Sequence, residues 1–376
     1  MHITLHITSG CSMRCGYCYS PPGQRRDMTF STIKKAIRLS TTLNSRNTGI
    51  IFFGGEPLLR KDLIFKTIAL SRDYEKKLGC SYHFKVTTNG LLLDEPFLQY
   101  AVRERLQVAL SIDGVPLAHD RFRRTTDNKG TFETIEAKIN SLLYYRPYAY
   151  ALMTICPETL EYYCQSVEYL IDKGFRYIIA SLNYAGQWTH GHLKQLKKEY
   201  HKLARLYKKL TLAGKKFYFS PFEKKLATHI HGKEALCQQC HFGIKQISIA
   251  PDGTIYPCVQ FVKNDGTARE FGMGNVDEGI DLGKQQRLFS LSRQIDEGCE
   301  TCAINERCEH RCSCMNWQTT GSIHSVSPVL CAAEKILIPI VDRVGESLFK
   351  KRAPLFVQKH YNAGYPLISY MEDHQP

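Results

Sequence analysis

Residues 2–20 read HITLHITSGCSMRCGYCYS. The opening run, rich in isoleucine, threonine and leucine, reads as a β-strand over 3–8. Cys11, Cys15 and Cys18 follow, spaced C-x3-C-x2-C. Beyond them TFSTIKKAIRLSTTL (29–43) places apolar residues at helical spacing. A strand, a thiol-bearing loop and a helix in that order predict the first unit of a parallel α/β sheet. Three thiolates can hold a 4Fe–4S cluster and leave one iron open to another molecule. The competing reading is a zinc site that borrows a distant fourth ligand, although zinc motifs more often pair two C-x2-C halves.

The alternation continues to residue 190. Strand candidates are 3–8, 49–53, 83–87, 108–112, 150–155 and 177–182. Segments of helical period separate them, among them KDLIFKTIALSRDYEKKLG (61–79), TFETIEAKINSLLYY (131–145) and TLEYYCQSVEYLIDKG (159–174). Six such units predict an open, partial (β/α)6 barrel of the TIM type, with its site at the C-terminal ends of the strands. Three motifs fall at those ends. FFGGEP (52–57) carries Gly54 and Gly55, which let a ligand approach the backbone, and Glu56, which can accept from an ammonium group. SIDG (111–114) brings Ser111, and HDRFR (119–123) brings Arg123; a hydroxyl and a guanidinium form a clamp for a carboxylate. TTNG (87–90) contains Asn89. Each motif alone is compatible with a turn or a structural contact.

The chain has 376 residues, 43% of them hydrophobic, enough for one large domain and a smaller one. No apolar run is long enough to cross a membrane, and MHITLHITSG lacks the features of a secretory signal, so the protein is expected to be cytosolic. Fifteen cysteines in such a chain point to metal rather than disulfides. The formal charge of +14 suits nucleic acid, an acidic peptide, an anionic cofactor or a plainly solvated surface. No motif of an RNA-binding module is present, so nucleic acid is not an expected partner.

Four regions are expected. Residues 1–190 form the barrel. Residues 191–236, with LKQLKKEYHKLARLYKKL (193–210), form a basic bridging helical segment. Residues 237–335 form a small, loop-rich, cysteine-rich domain containing Cys237, Cys240, Cys258, Cys299, Cys302, Cys308, Cys312, Cys314 and Cys331. Residues 336–376 are a tail without a clear period. Cys80, Cys156 and Cys164 fit no ligand pattern and read as buried apolar thiols.

The three-cysteine loop, FFGGEP, TTNG and SIDG together resemble the radical S-adenosylmethionine (SAM) superfamily over 1–190. The resemblance implies that Cys11, Cys15 and Cys18 bind a 4Fe–4S cluster whose open iron takes the amino and carboxylate groups of SAM. It implies that Tyr17 packs near adenine, that Gly54, Gly55 and Glu56 meet the methionine ammonium, and that Ser111 and Arg123 meet its carboxylate. Asn89 would line the pocket. CETCAINERCEHRC (299–312) and ISIAPDGTIYPC (247–258) resemble the SPASM domain of peptide-modifying relatives, over about 237–335. That implies two auxiliary 4Fe–4S clusters, one on Cys237, Cys240, Cys258 and Cys312, the other on Cys299, Cys302, Cys308 and Cys331. The spacing leaves Cys237 the least secured ligand and lets Cys314 stand in for Cys312.

The expected function is therefore that of a radical SAM/SPASM maturase. It would cleave SAM reductively and take a hydrogen atom from a ribosomally made peptide or protein, giving a cross-link or an oxidative modification. The alternatives are an anaerobic sulfatase-maturating enzyme that makes formylglycine, a radical SAM enzyme that modifies RNA, and a non-catalytic electron carrier. In sulfatase-maturating enzymes an aspartate base follows the cysteine of the PDG hairpin; here YPCVQF (256–261) places Val259 there. Expected partners are a peptide substrate, an electron donor such as flavodoxin or ferredoxin, and a separate leader-peptide-binding protein. The winged-helix domain that many relatives use for the leader is not expected ahead of residue 11.

Overall fold

The computed structural model describes residues 1–20, 23–43, 46–232, 241–294 and 296–373. Strands β1 (His2–Thr8), β2 (Asn47–Gly54), β3 (Ser81–Thr88), β4 (Gln107–Ser111), β5 (Tyr150–Ile155) and β6 (Tyr177–Leu182) lie side by side in chain order, all parallel. β1 is buried on both faces except at His2, as a strand between covering helices must be. The helices between strands start and stop where their sequence says. Thr29 accepts from the Thr32 N–H ahead of Phe30–Thr42, Asp94 accepts from Phe97 N–H ahead of Glu95–Arg103, and Gly79 closes Lys61–Leu78 in a left-handed conformation.

The sheet extends past these six strands at both edges. β7 (Tyr218–Phe219) adds parallel to β6. β8 (Gln246–Ile249) adds parallel to β1 and turns back antiparallel into β9 (Ile255–Tyr256). The PDG hairpin thus grows on the edge of the barrel sheet. Asp252 accepts from the Thr254 N–H at 3.0 Å and Gly253 has φ +89°, so this aspartate makes the turn.

The basic bridging segment is two helices, His190–Leu212 and Ser220–His231, on either side of β7. The region without a clear period is also helical. Helix Pro328–Lys350 packs on both bridging helices and is followed by Pro354–Tyr361 and Tyr365–Asp373. Between the long helices lies a buried ion pair, Lys225 Nζ to Glu334 Oε2 at 2.6 Å. Among the described residues no helix is long and apolar enough to cross a membrane.

Candidate functional site

The cysteine loop leaves β1 and is pinned on two sides. Toward β2, Gly55 N–H donates to the Thr8 carbonyl and Glu56 N–H to the Gly10 carbonyl, both at 2.8 Å. A Cβ on Gly54 would stand 2.2 Å from the Thr8 oxygen, and one on Gly55 2.1 Å from the Gly10 oxygen. The glycines were read as room for a ligand; the close approach they allow is to the chain's own cysteine loop. Toward the segment after β4, Arg14 N–H donates to the Arg124 carbonyl and Gly16 N–H to the Phe122 carbonyl. Cys11, Cys15 and Cys18 are free thiols on this loop; Cys11 feels the charge of Cys15 and Cys18, and Cys15 that of Cys18.

Glu56 is fully buried. Its Oε1 accepts from Leu58 N–H at 3.0 Å and from Thr88 Oγ1 at 2.8 Å, and its Oε2 accepts from Asn89 N–H at 2.7 Å. Burial pushes its pKa up to about 7 against the pull of those bonds. The carboxylate thus clamps the TTNG turn to β2 and keeps one lone-pair position of Oε2 for a further donor. The clamped Asn89 points its Nδ2 at Ser12 Oγ, 3.2 Å, and Cys11 Sγ, 3.7 Å.

Asp113 is the residue that sequence reasoning passed over. Its Oδ2 accepts from Tyr17 OH and from Arg123 Nε (2.9 Å), and its Oδ1 accepts from Arg123 Nη2 (3.2 Å) and Thr154 N–H (2.9 Å). The bidentate pair is buried, and the Arg123 guanidinium lies 5.4 Å from the centre of the Tyr17 ring. Burial opposes the charge on Arg123, but the Asp113 carboxylate outweighs it and raises the guanidinium pKa. Arg123 also reaches the Cys15 thiol. Asp113 stood in the quoted SIDG; the signal was an acid at a strand end ten residues before the arginine. Ser111 ends β4, one turn of backbone from this network.

In the cysteine-rich region Cys312 Sγ and Cys314 Sγ are 3.4 Å apart, and Cys314 also hydrogen-bonds with Cys258. Beside Cys312, His310 Nδ1 and Ser313 Oγ are buried without a hydrogen-bond partner among the described residues. Unpaired buried groups next to converging thiols fit an acceptor-rich group such as an iron–sulfur cluster. Cys299 feels the charge of both Cys302 and Cys331, and Cys308 that of Cys331. Cys237 and Cys240 lie outside the described residues. Among the described residues no three His, Cys, Asp or Glu side chains gather tightly enough for a single metal ion, whereas a four-iron cluster takes its thiols on a wider cage. Cys156 is buried beside Asn183 Nδ2, while Cys80 and Cys164 are half-buried.

The family model described as the Radical SAM superfamily matches residues 5–179. This chain carries a radical SAM domain. The cysteine-type anaerobic sulfatase-maturating enzyme of Clostridium perfringens is a homologue, 24% identical over 325 residues, 81% of this chain and 86% of its own. An uncharacterised protein of Archaeoglobus fulgidus is 23% identical over 357 residues, 90% of this chain and 80% of its own. With such relatives, the protein is an enzyme. The fold matches native anSMEcpe with bound AdoMet at TM-score 0.79 and 19% identity, covering 93% of this chain and 99% of that one. It also matches Streptococcus suis SuiB bound to precursor peptide SuiA, at TM-score 0.60 and 13% identity, covering 88% of this chain and 75% of that one. The α/β barrel expected from the strand spacing is thus the fold of SPASM-type radical SAM maturases.

Beside the radical SAM domain opens a cavity of about 1170 Å³. Ile179 and Ser181 of β6 form one wall, and Cys308, Glu309, Cys312 and Met315 another. Lys224 and Glu309 face each other across 3.0 Å on its surface. The cavity therefore has both β6 and the thiol-bearing segment 308–312 on its walls.

Proposed function

We propose that this enzyme modifies a ribosomally made peptide or small protein, forming a cross-link or an oxidised residue. The observation that carries this reading is the cavity, which is large enough for several residues of peptide and has both β6 and Cys312 on its walls. When bound, a 4Fe–4S cluster on Cys11, Cys15 and Cys18 together with SAM supplies a 5′-deoxyadenosyl radical that takes a hydrogen atom from substrate. Around it the chain's residues hold and orient. The remaining lone pair of Glu56 accepts from the methionine ammonium, with Gly54 and Gly55 keeping the cysteine loop within reach. Arg123, already aligned by Asp113, offers its unused N–H groups to the carboxylate beside Ser111. Tyr17, packed on Phe122 and anchored to Asp113, presents a fixed ring to adenine. Asn89 braces the loop at Cys11.

In the same reading Cys237, Cys240, Cys258 and either Cys312 or Cys314 hold one auxiliary cluster, and Cys299, Cys302, Cys308 and Cys331 hold another. Cys308 and Cys312, on the cavity wall, would hold these groups where they could supply an electron acceptor for a cross-link or oxidation. An external donor such as flavodoxin or ferredoxin and a separate leader-peptide-binding protein complete the system.

The second reading is formylglycine formation, favoured by the similarity to the Clostridium enzyme. Val259 speaks against it, because valine cannot take a proton and Asp252 is spent on its own turn. Mass spectrometry of candidate peptides after anaerobic turnover with SAM decides between them. A loss of two mass units with a new carbon–carbon, carbon–oxygen or thioether link supports the proposal. Formylglycine at a sulfatase-type cysteine or serine overturns it in favour of the second reading. Deuterium passing from labelled RNA into 5′-deoxyadenosine overturns both.

A further inference from the structure

The last described helix, Tyr365–Asp373, buries none of its residues. Leu367, Ile368, Tyr370 and Met371 stay exposed. Apolar burial, the usual anchor of a terminal helix, is therefore small here. Its acidic end is held instead by polar contacts. Asp373 Oδ2 accepts from Tyr148 OH at 2.9 Å and pairs with Arg176, and Asp373 Oδ1 lies 3.2 Å from Lys216 Nζ. Lys216 also takes Glu372 at 2.7 Å, and the Tyr370 ring stacks on Tyr148. Tyr148, Arg176 and Lys216 come from the segments that enter β5, β6 and β7. Three consecutive strand entries thus converge on one carboxylate, whose side chain is only 12% exposed while its neighbour Glu372 is 54% exposed.

This cluster lies on the cavity. Tyr148, Arg176, Lys216 and Asp373 line its lower end, below Ile179 and Ser181. At the upper end Ser181 pairs in register with Thr154, whose N–H donates to Asp113. A chain entering past Arg176 and Lys216 would run up the wall of β6 toward the Asp113–Arg123 pair. The entry is cationic on a chain of formal charge +14.

We propose that Tyr148, Arg176 and Lys216 form a carboxylate-binding subsite for an acidic segment of the peptide substrate, which Asp373 fills in cis and vacates when the peptide arrives. The proposal rests on the peptide reading above. The recognition chemistry is two cations and a phenol converging on a carboxylate, and an aspartate or glutamate in trans meets it as Asp373 does. Because ionic contacts rather than apolar burial hold the helix, exchange is sensitive to salt.

The test uses full-length protein and a labelled twelve-residue peptide with the sequence of 365–376, YPLISYMEDHQP. A second peptide replaces its glutamate and aspartate with glutamine and asparagine. Binding is followed by fluorescence anisotropy to wild type and to the Glu372→Gln, Asp373→Asn variant. The variant should bind the acidic peptide roughly tenfold or more tightly than wild type does, and lose that affinity as salt rises. It should bind the neutral peptide at least about tenfold more weakly. Adding Arg176→Ala or Lys216→Ala should abolish the gain. Equal binding by wild type and variant, or equal binding of the two peptides, overturns the subsite. Hydrogen exchange in unaltered protein gives an independent reading: the acidic peptide should speed exchange over 365–373, and no change overturns the proposal. So does a short oligoribonucleotide that frees the helix where the acidic peptide does not. None of these measurements needs SAM cleavage, so a formylglycine product would remove the cross-linking reading and leave the subsite standing.

Discussion

Around Asp113 each carboxylate oxygen accepts two hydrogen bonds from within the chain, while beside Cys312 two buried polar atoms have no partner among the described residues. The barrel end of the molecule is held by hydrogen bonds made within the chain. Glu56 clamps the third strand to the second, and the cysteine loop is stitched to both β2 and the Arg123 segment. The cysteine-rich end has short strands, single-turn helices and thiols turned toward each other. We propose that an iron–sulfur group on the thiols would complete this second region, whereas the hydrogen bonds of the barrel site are already made within the chain.

If that contrast is right, losing metal should damage the two regions unequally. Anaerobically reconstituted protein should hold about twelve irons, from three 4Fe–4S clusters. Replacing Cys11, Cys15 and Cys18 with alanine should remove about four of them and abolish SAM cleavage, while circular dichroism shows the barrel still folded. Chelation of all iron should open residues 241–331 to protease well before the barrel; simultaneous cleavage in both would erase the contrast.

The joint between the regions should depend on Lys225 and Glu334. Lys225→Met leaves Glu334 buried and unpaired and should destabilise the chain by about 3–5 kcal/mol in a denaturant titration. Lys225→Met with Glu334→Leu should recover most of that loss, since the paired charges add little net stability over apolar packing.

Preorganisation at the barrel end also has a pH signature. His119 is fully buried, with Nδ1 accepting from Asp113 N–H and Nε2 3.1 Å from Thr131 Oγ1. Burial pushes its pKa down from 6.5 to about 4. The unfolded chain takes up a proton below 6.5 that the folded chain refuses until about 4. Stability present above the higher value is lost as pH falls to the lower, by up to about 3 kcal/mol. Melting temperatures across this window should fall less steeply in His119→Gln than in wild type; parallel curves would show that His119 is not the proton acceptor.

At the SAM pocket itself the expected effects are graded. Glu56→Ala or Arg123→Ala should weaken SAM binding by roughly ten- to a hundred-fold, about 1.5–3 kcal/mol, with the iron content retained. Tyr17→Phe removes one hydrogen bond to an Asp113 that keeps three others, and should cost about tenfold or less. Equilibrium binding of SAM to each variant checks the order; if Tyr17→Phe costs more than Arg123→Ala, the network does not centre on Asp113.

Much of the barrel was legible before any coordinate. The bounds 150–155 and 177–182 coincide with β5 and β6, short, mostly apolar runs (YALMTI and YIIASL) set between segments of helical period. β7 was not legible: two residues of strand carry no period, and it exists because a neighbouring edge offers a partner, whereas β9 was legible as the second arm of the PDG hairpin. The last two helices escaped for a related reason. Pro354 and Gly364 cut the end of the tail into pieces too short to show a repeat, and the last piece is held by ions rather than by an apolar stripe.

Local chemistry sufficed where the outcome depends on sequence neighbours: the turn at Asp252 and the strand–helix alternation that sets the sheet order. Roles that depend on distant partners were settled only by folding. Gly54 and Gly55 serve the cysteine loop, Asp113 joins Tyr17 to Arg123 across ninety-six residues of chain, and Asp373 meets Arg176 across one hundred and ninety-seven. A hydrogen bond is short-ranged and directional, so no pattern within a segment can announce a donor that the sheet delivers from elsewhere.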